Sequence, residues 1–126
     1  MSQTIINTQD APAAIGPYVQ ARRVGPFLYT SGQIPIDPKT GDVVEGIEAQ
    51  TEQALNNLLA ILKAAGFDKE HVLKTTVFIK DMNQFATING IYERFFGDHK
   101  PARSCVEVAR LPKDVLVEVE AVAYGE

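Results

Sequence analysis

Hydrophobic spacing changes period along this chain, and each change marks a different element. From Ile47 to Ala65 the apolar positions Ile47, Ala54, Leu55, Leu58, Leu59, Ile61, Leu62 and Ala65 recur every three or four residues, which predicts a helix with one buried stripe that stops at Gly66. Val72 to Ile79 is β-branched and too short for a helix, so it reads as an interior strand. Phe85, Ile88, Tyr92, Phe95 and Phe96 return to helical spacing, giving a second helix that Asp81 or Asn83 can cap, that contains Asn89 and that ends at Gly97. Ahead of the first helix, Ile5-Ile6 reads as a short strand, and Asp10 to Pro17 reads as an extended loop closed by Tyr18. Val19–Arg23 and Phe27–Gln33 read as two strands joined through Val24-Gly25-Pro26, with Ser31-Gly32 near the end of the second and a turn cluster at Asp37–Asp42. Arg103–Ala109 and Val115–Tyr124 read as closing strands around a turn at Arg110–Asp114.

This order predicts an α+β fold, a mixed β-sheet with two helices on one face, in a single domain spanning 1–126. Along the last strand Val115, Val117, Val119, Ala121 and Ala123 share one face, and Leu116, Glu118, Glu120, Val122 and Tyr124 share the other. The second face is neither clean core nor clean solvent, and no helix remains to cover it. A homo-oligomer with a site embedded in its interface is therefore expected.

Composition narrows the function. With 45% hydrophobic and 22% charged residues in 126, the chain is globular, and its length suits one ordinary domain without staples. Twelve Lys and Arg against 16 Asp and Glu leave a net charge of −4 with no basic cluster, which argues against nucleic acid as a partner. A single cysteine, Cys105, points to a reducing compartment, and the first residues lack both a basic start and a long apolar run, so no membrane anchor or leader is expected and the cytoplasm is the expected location.

His71 and His99 lie in predicted turns without further ligands at metal spacing, so no metal is expected, and they read as solvated loop residues. Cys105 shares a strand face with Arg103, so it is either a thiolate steadied by that guanidinium or a small buried hydrophobe. No nucleophilic triad and no phosphate loop can be assembled. What remains is Arg103 and Glu120, which a hairpin about Leu111-Pro112 would present from one sheet, either as a surface ion pair or as a site.

Gly16-Pro17-Tyr18-Val19-Gln20, Thr30-Ser31-Gly32-Gln33, Thr75-Thr76-Val77-Phe78 and above all the block from Pro101-Ala102-Arg103-Ser104-Cys105 through Leu111-Pro112, followed by Glu118-Val119-Glu120-Ala121, resemble the RidA (YjgF) family of reactive-intermediate imine deaminases, from about Ile5 to Tyr124. The resemblance implies a chorismate-mutase-like fold assembled as a homotrimer with a cleft between each pair of neighbours. It implies cofactor-free hydrolysis of 2-imino acids such as 2-iminobutanoate and 2-iminopropanoate to 2-oxo acids and ammonia. By position, Arg103 would clamp the substrate carboxylate, Glu120 would activate water, Tyr18 would hydrogen-bond water or substrate, and Ser31, Gly32 and Asn89 would line the cleft with Cys105 as a wall. The same resemblance leaves open a non-catalytic trimer that binds small carboxylates or a regulatory partner, and, ranked lower on the acidic charge, a ribonuclease. The Gly97–Lys100 connection is shorter than in many relatives and would alter the cleft rim.

Overall fold

The computed structural model describes residues 2–126. Six strands form one sheet: β1 (Gln3–Ile6), β2 (Ala21–Val24), β3 (Phe27–Thr30), β4 (Val72–Ile79), β5 (Ala102–Glu107) and β6 (Val117–Tyr124), in the order β1-β2-β3-β6-β4-β5. Helices α1 (Ile47–Ala64) and α2 (Phe85–Phe96) follow the periodicity almost to the residue. Their apolar stripes meet the strand residues Val72, Val77, Ile79, Val117, Val119, Ala121 and Ala123 in one core, with Leu55, Leu58, Ile61 and Leu62 of α1 no more than 1% exposed. The expected split of the last strand into a buried and a half-polar face is what forms.

The pairing of the C-terminal strands differs from the expected hairpin. β5 and β6 do not touch; β4 lies between them, parallel to β5 and antiparallel to β6. Neighbouring strands sit about 4.8 Å apart, so the connection must bridge nearly twice that gap, too wide for a tight turn. It does so across the end of β4, where the Val108 amide donates to the Ile79 carbonyl, the Lys80 amide donates to the Leu116 carbonyl, and the Lys80 ammonium donates to the Ala109 carbonyl at 2.7 Å. The physical reason is on β4 itself, whose residues Val72, Thr75, Val77 and Ile79 are buried, which demands a central place.

β3 also ends earlier than its apolar pattern suggests, at Thr30 rather than Gln33. Tyr29 faces Val122, but the next bridge is Gln33 to Val119, so the β3 side carries one residue more than β6 between them. This bulge falls at Ser31-Gly32, and the Thr30 hydroxyl fills the gap by accepting from the Ala121 amide at 3.0 Å.

Candidate active site

The sheet register sorts the chemical groups by face. Thr75 pairs with Arg103 on one side and Ala121 on the other, and this row faces the helices. Thr76 pairs with Ser104 and Glu120, and that row faces away from them. Arg103 and Glu120 of one protomer therefore stand on opposite faces of the sheet, on strands that β4 separates. The expected presentation of both from a β5–β6 hairpin is corrected accordingly: the candidate groups fall into two clusters, one on each face, each holding half of the expected set.

The first half-site lies where β5 meets α2, in a cleft of about 540 Å³ lined by Asn89, Tyr92, Phe96, His99, Pro101 and Arg103 among others. The Arg103 Nη1 donates to the Asn89 Oδ1 at 2.7 Å. Its Cζ stands 4.9 Å from the centre of the Tyr92 ring and 5.6 Å from that of Phe85, within range of cation–π attraction. Among the described residues the one side-chain ion pair is Arg110 with Asp114, so the Arg103 guanidinium faces this cleft without an anion. Such a group binds a carboxylate through two parallel N–H donors.

The second half-site surrounds the Ser31-Gly32 bulge. The Ser31 hydroxyl donates to the Val19 carbonyl at 2.6 Å, and the Tyr18 hydroxyl accepts from the Ile15 amide at 3.2 Å, so both also tie down their own loop. Tyr18, Tyr29, Thr30 and Ser31 line an open hollow of about 600 Å³. Glu118 and Glu120 lie two apart on the same face of β6, and the Glu118 carboxylate packs directly on Gly32, where any Cβ would run into it. Partial burial of Glu118 raises its proton affinity, and the Glu120 charge raises it further. Replacing Gly32 by alanine is expected to displace that carboxylate.

Cys105 is half-buried against the core, and burial, outweighing the nearby Arg103 charge, raises its thiol pKa. The thiolate reading loses its support, and Cys105 packs on the core without lining either hollow. The histidines are not the solvated loop residues expected: the His71 Nδ1 accepts from the Asp68 amide at 2.9 Å, and the His99 Nε2 bonds the Val72 carbonyl at 2.7 Å. Each secures a turn.

Several residues that position the half-sites were not singled out from the sequence. Gln20, 3% exposed, accepts from the Thr8 amide and donates to the Thr8 and Pro12 carbonyls, which holds the loop leading to Tyr18. Asn57, 1% exposed on α1, donates to the Ile34 and Ile36 carbonyls and so secures the segment after Gly32. Polar residues inside an apolar stripe were the available signal, since buried amides are kept where they satisfy backbone groups. Glu118 carried a signal of its own, because alternation places it on the face of Glu120.

A family profile described as Endoribonuclease L-PSP matches residues 8–125. The 2-iminobutanoate/2-iminopropanoate deaminase of Salmonella typhimurium is 60% identical, covering 98% of this chain and 98% of that protein. The crystal structure of the YjgF gene product from Escherichia coli superposes with a TM-score of 0.94 at 55% identity, covering 98% of this chain and 99% of that one. That of Escherichia coli TdcF with bound serine superposes with a TM-score of 0.95 at 51% identity, again covering 98% and 99%.

Proposed function

The chain belongs to the Endoribonuclease L-PSP family, the YjgF/RidA family, and from that premise we propose that it hydrolyses 2-iminobutanoate and 2-iminopropanoate to the corresponding 2-oxo acids and ammonia in clefts between neighbouring copies. The observation that carries this reading is the Arg103 guanidinium, held by Asn89, Tyr92 and Phe85 and lacking an anion of its own. A serine-bound relative of the same fold supports a small amino-acid-like carboxylate as its ligand.

Since Arg103 and the acidic pair occupy opposite faces of one sheet, one substrate can meet both only if they come from different protomers. The helix-free face gives a physical reason for such assembly: Ile5, Phe27, Tyr29, Val106 and Tyr124 are exposed on it, Tyr29 at 50% and Ile5 at 54%. We assign the assembly as a homotrimer, in which the β5–α2 edge of one copy docks beside the Tyr18–Ser31 hollow of the next. The chemistry then needs few groups. A protonated imine is already electrophilic, Arg103 fixes its carboxylate, and a carboxylate base takes a proton from water as the C2–O bond forms. That proton passes to nitrogen to give the ammonium-bearing carbinolamine; the freed carboxylate then takes the hydroxyl proton as the C2–N bond breaks and C2=O forms, and ammonia leaves a 2-oxo acid. The family resemblance points to Glu120 as the base; contact with Gly32 and partial burial favour Glu118, whose raised proton affinity makes it the stronger base of the two-carboxylate pair.

The test couples a threonine dehydratase to the protein and follows decay of the transient imine. Faster loss of imine with matching 2-oxobutanoate supports the reading, and decay at the solvent rate overturns it. Sedimentation should give three times the 13.8 kDa chain mass, and a stable monomer would remove the shared cleft.

A further inference from the structure

The carboxylate clamp raises a question that Arg103 alone does not answer. A guanidinium on a flexible stem must hold one plane and one rotation to receive a carboxylate with two parallel bonds, and freezing it costs side-chain entropy at the moment of binding. Asn89 accepts from a single nitrogen at 2.7 Å, which fixes one edge and leaves the plane free to tilt about that bond.

We propose that Tyr92, assisted by Phe85, is the positioning residue of the Arg103 clamp, its ring face setting the guanidinium plane and its hydroxyl, anchored on Thr75, setting the ring. The chain of contacts runs outward from the core. Thr75 is fully buried on β4 and stands beside Arg103 in the parallel β4–β5 register. Its hydroxyl meets the Tyr92 hydroxyl at 2.7 Å, 17 residues away in sequence. The Tyr92 ring also packs at 4.8 Å on Phe96, tilted by 53°, and so has support at its edge as well as at its tip. Above it, the Arg103 Cζ lies 4.9 Å from the ring centre, and Phe85, one helical turn before Asn89, contributes a second aromatic ring at 5.6 Å. Phe85, Asn89 and Tyr92 fall at the three-and-four spacing of one face of α2, so one helix delivers two aromatic rings and an in-plane acceptor to the same cation. Burial raises the phenol pKa of Tyr92, which keeps the ring neutral.

This proposal rests on the carboxylate-binding reading of Arg103, and its test separates the two. Steady-state kinetics on dehydratase-generated 2-iminobutanoate are measured beside calorimetric titration with L-serine, for the parent, Tyr92→Phe and Tyr92→Leu. Tyr92→Leu is expected to raise KM and the serine Kd by about 5–30-fold, the range that follows from removing a cation–π attraction at a partly desolvated site, with kcat within about twofold. Tyr92→Phe keeps the ring and is expected to recover binding to within about threefold, which a merely structural defect would not do. Phe85→Leu, farther from the Thr75 anchor, is expected to raise KM about two- to fivefold and keeps the proposal open to refutation should the Tyr92→Leu chain fail to fold. Unchanged KM and Kd in the leucine variants, or a fall in kcat at constant KM, would overturn it. Absence of imine turnover in the parent would defeat the deaminase reading instead, and the serine titrations would still decide the role of Tyr92.

Discussion

Arg103→Ala is expected to lower kcat/KM for 2-iminobutanoate by about 10²–10³-fold, comparable with truncating one partner of a desolvated, hydrogen-bonded charge pair. Serine binding should become undetectable by calorimetry at concentrations that saturate the parent. The reason is geometric. Asn89 takes one nitrogen of the guanidinium, the aromatic faces take its plane, and the remaining N–H donors are left for a ligand oxygen pair. Arg103→Lys keeps the charge but presents a point donor that cannot fork, so it should recover less than about a tenth of the lost efficiency. The substitution sits on the edge strand β5 and breaks no ion pair, so the variant should retain the parent's sedimentation coefficient. An Arg103→Ala protein that still binds serine with the parent affinity would move the carboxylate site elsewhere.

Periodicity carried most of the fold. Both helices and the central strand Val72–Ile79 were legible because each has an apolar run longer than chance and a clear stop, Gly66 after the first helix and Gly97 after the second. Strand order was not legible, because pairing is a long-range choice. The turn residues around Leu111-Pro112 fit a hairpin or a wide crossing equally well, and only the need to bury β4 between two flanking strands selects the crossing. That one choice decides the site. It sends Arg103 to the helix face and the acidic residues to the opposite one, so the presentation of both from one hairpin does not form.

The candidate residues were legible in type and less so in partnership. Arg103, Asn89, Ser31, Gly32 and Tyr18 fall into two spatial groups that motif spacing alone does not separate, since sequence distance says nothing about faces once strands are shuffled in a sheet. The Ser31-Gly32 bulge was invisible because it arises from a register mismatch between Tyr29–Val122 and Gln33–Val119, a property of two strands together. A Cβ at Gly32 would meet the Glu118 carboxylate, a contact that crosses from the bulge to β6 and that no single segment of sequence displays.

That contact frames the most discriminating comparison, between the two acidic residues of β6. Glu118→Gln is expected to lower kcat by about 10²–10⁴-fold, the usual value of a positioned general base, while serine still binds through Arg103. Glu120→Gln should cost far less in rate and act through its neighbour. Burial is the larger cause of the raised proton affinity of Glu118 and the Glu120 charge the smaller, so removing that charge lets Glu118 ionise more easily, and the acidic limb of the kcat/KM profile should move to lower pH. Stability follows with a definite sign. A carboxyl whose folded-state pKa lies above its unfolded value binds its proton more tightly when folded, so the parent loses stability as pH rises from the unfolded pKa through the folded one. Glu118→Gln removes that penalty, and thermal unfolding at pH 8 should show a higher Tm than the parent, with the difference closing toward pH 4. A carboxylate that destabilises its fold where it stands is what a stability–activity trade-off predicts for a group kept for chemistry. Should Glu120→Gln abolish turnover while Glu118→Gln leaves both rate and the pH profile unchanged, the proton belongs to Glu120; should both variants turn over imine at the parent rate, the protein is a carboxylate-binding assembly and its hydrolysis has another source.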